Sequence, residues 1–450
     1  MSQAPVTSGL APETLKGWSE RAAALAAERR EPAWAAERRR RAAALAAALP
    51  FPSREDELWR RTDFRTLEAE LAALDPSAPA PAARHLDDLP PGLLSALAGG
   101  TPSALIVQRG SNAVLEQTHP DLERQGVIVC SLDRALREHG AKLEHHLGAL
   151  IDPDYDRWSA LADALRSGGA FVYVPAGVHA ALPVRLMHWL DGGGRLVAPH
   201  TVIVLEAGAR LTVMEEQLSE PAERPSLHAG ATEVFLGDDA HLTYATHQDW
   251  ARNVYHYSNQ RVRVGRDAEL QWIQTLLGAR MVKTNSYFDL AGPGARAFVH
   301  GFMFGDARQH FHLHTLQRHL VHHGTSDLLI KGCLKDRARS VYQGLIQVAE
   351  DAQRTDAYQA NRNLLLSDTA RADSIPGLEI LANDVRCTHG ATIGTVDEEQ
   401  MYYLQARGLH RGEAERLIVE GFFTPVLDRI PLESVRAQLR EAIQRKLGDA

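Results

Sequence analysis

Gly208-Ala209-Arg210-Leu211-Thr212-Val213 returns along the chain as Asp239-Ala240-His241-Leu242-Thr243-Tyr244, Asp267-Ala268-Glu269-Leu270-Gln271-Trp272 and Gly294-Ala295-Arg296-Ala297-Phe298-Val299. The alanines are 31, 28 and 27 residues apart. Each copy is a turn followed by alternating apolar and polar residues, the period of a strand with one buried face. A turn and strand recurring at a near-constant step mark a solenoid, in which each coil buries its inner face on the next. The chain therefore reads as mainly β, with a parallel β-helix as its core from Ala170 to about Cys387. A β-sandwich of short strands is the competing arrangement, because turn signals are frequent here too. The shared Ala-x-Leu register favours the solenoid.

Outward from this core the texture is helical. Residues 13–48 are rich in Ala, Leu, Glu and Arg, good helix formers, and read as two helices broken near Glu31-Pro32. The run Arg38 to Arg41 fans around the second of these, which predicts a solvated helix surface. A further polar helix is expected to carry Leu58, Trp59 and the stretch up to Phe64. A Pro- and Ala-rich linker is expected near 75–92. Strands are expected at Ala104 to Gln108 and Val127 to Ser131, and helices at Ser131 to His139 and Asp156 to Ser167. Cys130, in the run Val127-Ile128-Val129-Cys130, reads as buried packing. At the other end, Thr395-Val396-Asp397-Glu398 reads as a capping box opening a helix that stops at Gly408. Helices over Gly412 to Phe423 and Pro431 to Leu447 follow, their apolar stripes free to cover the solenoid end or to dock a partner. The division is 1–167 helical and mixed, 168–390 β-helix, and 391–450 a C-terminal helical domain.

At 450 residues, with 44% hydrophobic and 24% charged residues, the composition is that of an ordinary globular protein. A net charge of -8 excludes nucleic-acid binding through a broadly basic surface. No apolar run approaches a membrane span. The start, Met1-Ser2-Gln3-Ala4-Pro5, lacks the features of a secretory signal, so a cytoplasmic address is expected. Cys130, Cys333 and Cys387 are odd in number and far apart, as in a reducing compartment. With no GxxxxGK[ST] loop and no GxGxxG motif, nucleotide hydrolysis falls to a partner.

Two groups of residues carry metal-binding chemistry. Cys387 and His389 lie two apart in Ser374 to Gly394, so on a strand they share one face. Sulfur and imidazole suit iron clusters or zinc, but a closed site wants about four ligands, and this stretch supplies two. The other group is His310, His312 and His314, within a histidine-dense segment from His300 to His323. On a strand these three also share a face, a zinc or iron constellation or, equally, a polar face lining an interface.

Several motifs are similar to those of the SufB/SufD family of iron-sulfur cluster assembly scaffolds. They are Gly344-Leu345-Ile346-Gln347-Val348, Asp351-Ala352-Gln353-Arg354-Thr355-Asp356-Ala357, Gln359-Ala360-Asn361-Arg362-Asn363-Leu364, Pro376-Gly377-Leu378-Glu379-Ile380, Asp384-Val385-Arg386-Cys387-Thr388-His389-Gly390-Ala391-Thr392 and Glu399 to Gly408. Glu31-Pro32-Ala33-Trp34 and Trp59-Arg60-Arg61-Thr62-Asp63 resemble that family's opening helices. Gly390 after His389 resembles the SufD branch, since SufB chains tend to have Glu there. The resemblance implies helical regions around a β-helix and a complex with SufB and the ATPase SufC. It implies a transient iron-sulfur cluster shared with SufB and a reduced flavin in some complexes, and a homodimer is one arrangement open to the isolated chain. It makes His389 the cluster ligand on this side and Cys387 its neighbouring thiol. The chain is then a non-catalytic scaffold. The alternatives are a self-contained His-rich metal enzyme using His310, His312 and His314, and a purely structural subunit.

Overall fold

The computed structural model describes residues 12–68, 70–76, 83, 85–97, 102–430 and 433–448. Its centre is a β-solenoid whose strands alternate between two ten-stranded, mostly parallel sheets. The first sheet ends with Arg210–Ser219, His241–Asp249, Glu269–Leu276, Arg296–Gly305, Thr325–Leu334, Asp356–Leu365 and Arg386–Thr395. The second ends with Ser226–Leu236, Val254–Val264, Met281–Leu290, His310–His319, Arg339–Val348 and Arg371–Ile380.

The sequence repeat is the entry to each first-sheet strand. The residue before each alanine is left-handed: φ is 68° at Gly208, 56° at Asp239, 55° at Asp267 and 72° at Gly294. Glycine takes that conformation freely and aspartate at modest cost, which explains why Gly or Asp stands at these four positions. Ala209, Ala240, Ala268 and Ala295 are completely buried at the corner that follows. Leu211, Leu242, Leu270 and Ala297 then stack in register as one inward column. The next two coils keep this geometry with His323 and Arg354 in the left-handed position, at 61° and 58°. The ladder therefore continues where the sequence repeat fades.

The strands extend beyond the expected core limits on both sides. Arg386–Thr395 pairs residue for residue with Asp356–Leu365, so the last strand passes 390 and helix resumes only at Glu398. Upstream, Ala104–Arg109 pairs in parallel with Val184–Leu190, and Ile128–Ser131 pairs with Ala170–Val174. A strand the sequence reading lacked, Asn112–Thr118, covers the edge of Ala104–Arg109.

Helices Pro12–Glu28 and Ala33–Ala48 form with the expected break, as does Arg157–Ala164. Two expectations near them fail. Between Arg54 and Arg61 the chain makes turns, not a polar helix. Phe51, Trp59 and Phe64 each seat separately against Trp158, Tyr255 and Tyr257, and this anchoring overrides helical propensity. The Arg38 to Arg41 run is solvated only at Arg40 and Arg41. Arg39 is 1% exposed and bonds Glu31 and the carbonyls of Ala164 and Arg166, while Arg38 pairs with Asp163 at 2.8 Å. Burial pushes the Glu31 carboxyl up, but Arg166 and Arg39 outweigh it and hold it at about 2. The expected linker near 75–92 lies partly outside the described residues, and its end begins the helix Pro91–Leu97.

Helices Glu398–Ala406, Arg411–Leu427 and Glu433–Leu447 close the chain. Asp397, not Thr395, caps the first, accepting from Glu399 N at 2.8 Å. The last two cover the outer flank of the first sheet, where Val419, Phe423, Leu439 and Ile443 pack on Ala245, Phe302, Phe304 and Cys333. These outward apolar residues give the two helices their footing, so the tail lies on the flank. No helix among the described residues is long and apolar enough to cross a membrane.

Candidate functional site at the open end of the solenoid

The last coil consists of Arg371–Ile380 and Arg386–Thr395, which terminate the two sheets. Each strand therefore presents one unpaired edge among the described residues, the kind of edge another chain can extend. Leu378, Ile380, Leu381 and Ile393 are exposed beside it. Ion pairs Arg386 to Asp356, at 2.6 Å, and Arg339 to Asp373, at 2.6 Å, tie the coil to the one beneath.

Cys387 and His389 stand on the inward face of this coil. Register places Cys387 over Ala357 and His389 over Gln359, continuing the columns that begin with Leu211 and Val213. The expected shared face is therefore present, and among the described residues no further coil covers it. Cys387 is half-buried against Ile346, Val348 and Ala357, and His389 is exposed. Burial pushes the Cys387 thiol up and the Asp356 carboxylate adds to this, against a smaller opposing pull from the Ala357 backbone. Such a thiol remains protonated near neutral pH until a metal or a cationic partner displaces the proton. The other two thiols are inaccessible: Cys130 and Cys333 are fully buried, and burial pushes Cys130 up to about 12.

His310, His312 and His314 also share a face, as expected, but it is the outer face of the second sheet, roofed by the segment around Trp59. Thr62 Oγ1 lies 3.2 Å from His310 Nε2 and 2.5 Å from His312 Nδ1. Gln343 Oε1 accepts from His312 Nε2 at 2.7 Å, and Tyr287 OH lies 3.1 Å from His314 Nδ1. Buried Lys283 donates to the Leu58 carbonyl at 2.9 Å and lies 3.2 Å from His312 Nε2. Burial, then the Arg339 and Lys283 charges, pull His310 down to about 4. Burial, then Lys283 and Arg261, pull His314 down to about 3. These neutral rings are engaged in fastening the N-terminal segment. Among the described residues no three His, Cys, Asp or Glu side chains are grouped to hold a metal ion.

Residues 188–422 match the SufBD core domain of the SUF system for FeS cluster assembly, and residues 106–186 match the SufBD N-terminal region. The chain belongs to the SufBD family. It is 30% identical over 441 residues, 97% of each chain, to the iron-sulfur cluster assembly protein SufD of Bacillus subtilis. It is 28% identical over 326 residues to the iron-sulfur cluster assembly protein SufB of the same organism, covering 72% of this chain and 70% of the relative. As a SufBD-family chain it is an iron-sulfur cluster assembly protein, and the residues that match the family's core domain include Cys387 and His389. Sequence reasoning placed Cys387 and His389 on one face but missed what lies beneath them: Tyr342 and Gln359, polar residues at inward positions. Their one signal was an interruption of the apolar alternation.

Proposed function

We propose that this chain is a non-catalytic scaffold subunit that completes an iron-sulfur assembly site with a SufB-like partner. The observation that carries this reading is a pair of metal-competent side chains, Cys387 and His389, on the inner face of an uncapped terminal coil. Two donors are half of what a closed site needs, and the open edges and exposed Leu381 and Ile393 beside them favour a second chain supplying the rest. The cluster is then cargo built between chains and passed on, and a reduced flavin belongs to the complex. The same edges offer a homodimer contact when the partner is absent.

Docking of a SufC-type ATPase is assigned to the C-terminal helices. Tyr402 and Tyr403 on Glu398–Ala406 are 75% and 58% exposed, and Leu417 on the next helix is exposed too. Exposed tyrosines are characteristic anchors of protein interfaces. The partner then supplies ATP hydrolysis in the cytoplasm. The alternative of a metal enzyme at His310, His312 and His314 gains no support from rings already bonded to Thr62, Gln343 and Tyr287.

The test is anaerobic iron and sulfide reconstitution of the co-purified three-protein complex, native against His389→Ala and Cys387→Ala. The complex is expected to survive both changes while the visible cluster absorption is lost with His389→Ala and reduced with Cys387→Ala. Full cluster recovery in His389→Ala would refute the ligand role.

A further inference from the structure

His389 continues an inward column whose previous member, Gln359, spans the lumen. Gln359 Nε2 donates to Gly377 O on the facing strand at 2.9 Å and lies 3.4 Å from Gly344 O. Carbonyls only accept, so the orientation of the amide is fixed and its Oε1 accepts from Tyr342 OH at 3.1 Å. Thr315 Oγ1, 3.0 Å from Tyr342 OH, supports that hydroxyl from behind. Gly344 makes room for the arrangement, since a Cβ there would lie 2.2 Å from Tyr342 OH and 2.4 Å from Gln359 Oε1. Gln359 and Tyr342 thus form a rigid bridge one coil below the open end.

Parallel register carries both partners up by one coil. Gln359 is succeeded by His389, and Tyr342 is succeeded by Ser374. The pair that meets across the lumen beneath is therefore followed by His389 opposite Ser374. The Ser374 hydroxyl is shielded from solvent and has no hydrogen-bond partner among the described residues. A shielded hydroxyl without a partner is costly, and imidazole supplies what it lacks. Metal-bound histidines, conversely, nearly always have their second nitrogen bonded, which fixes tautomer and ring direction.

We propose that Ser374 is a positioning residue for His389: its hydroxyl bonds one imidazole nitrogen across the mouth of the solenoid and leaves the other directed at incoming iron. The bond forms as the partner covers the terminal coil and turns the exposed ring inward. This inference rests on His389 being a cluster ligand, and its test separates the two. The complex with the SufB-like and SufC-like partners is prepared native and as Ser374→Ala, Ser374→Thr and His389→Ala. Cluster recovery is measured together with the tautomer of His389 by nitrogen-15 shifts in histidine-labelled chain, the His389 signal identified by its loss in His389→Ala.

Ser374→Ala is expected to lower iron affinity at reconstitution by about 10-fold to 100-fold and to convert a single His389 tautomer into a mixture. Ser374→Thr, which keeps the hydroxyl, is expected to restore both. An unchanged tautomer in Ser374→Ala overturns the positioning role, as does native cluster recovery in Ser374→Ala while His389→Ala fails. Native recovery in His389→Ala overturns the ligand reading itself, with the tautomer measurement still deciding whether Ser374 holds the ring.

Discussion

Replacing Lys283 by Met tests whether the histidine face is a clasp for the N-terminal segment. Met keeps an apolar stem beside Trp59 and removes the ammonium. Burial pulls Lys283 from its ordinary value down to about 7, against a smaller upward pull from Asp156. The native value lies below the unfolded one, so stability is greatest at high pH, where both states are neutral. As pH falls below about 10.5 the unfolded chain takes the proton first, and stability is lost until pH reaches about 7. Within that window the slope approaches about 1.4 kcal/mol per pH unit for one proton. Between pH 7 and 9 the native protein should therefore gain roughly 2 kcal/mol from this group. His310 and His314, held near 4 and 3, do not titrate in that range. Lys446, pulled by burial to about 8, does, but it contributes equally to both proteins. Urea unfolding by tryptophan fluorescence at pH 7, 8 and 9 should show the native curve rising relative to Lys283→Met. Hydrogen-exchange protection factors of residues 54–64, corrected for the intrinsic rise of exchange with pH, should increase over the same range in the native chain alone. Parallel stability curves would show that Lys283 is no buried, proton-starved lysine and would refute the clasp.

Arg39→Ala leaves Glu31 buried with Arg166 as its remaining close cation and should cost about 3 to 5 kcal/mol, whereas Arg40→Ala, removing an exposed pair, should change little. Urea midpoints compare the two, and equal effects would refute the burial argument. Tyr402→Ala with Tyr403→Ala should weaken binding of the ATPase partner by roughly 30-fold without altering thermal unfolding, because neither ring is buried. Calorimetric titration with the partner reads this, and unchanged affinity would move the docking site elsewhere.

The solenoid was legible because one coil geometry imposes one local rule. A left-handed residue and a buried corner residue recur at six successive entries to first-sheet strands, and the first coils spell that rule in Gly or Asp followed by Ala. Later coils obey it with His323-Gly324 and Arg354-Thr355, so the sequence falls silent while the backbone repeats. The alternation that puts Cys387 and His389 on one face was likewise a local property of a strand. What they face was not, because the lumen beneath them is built from residues that meet only when coils stack.

By itself the sequence determined the mainly β class, the flanking helices, the metal-competent pair and the resemblance to one family, all from local periodicity and motif. Only the tertiary structure decided where the apolar tail helices lie, since two apolar surfaces find each other by shape and area that spacing does not encode. It also decided that Arg39 is buried while Arg40 is not, and that His310, His312 and His314 lie under Thr62. A side chain's environment is set by what packs against it from distant sequence. Ser374 shows the same reason at the site: its hydroxyl gains significance from the histidine opposite, and that juxtaposition exists only in the closed coil.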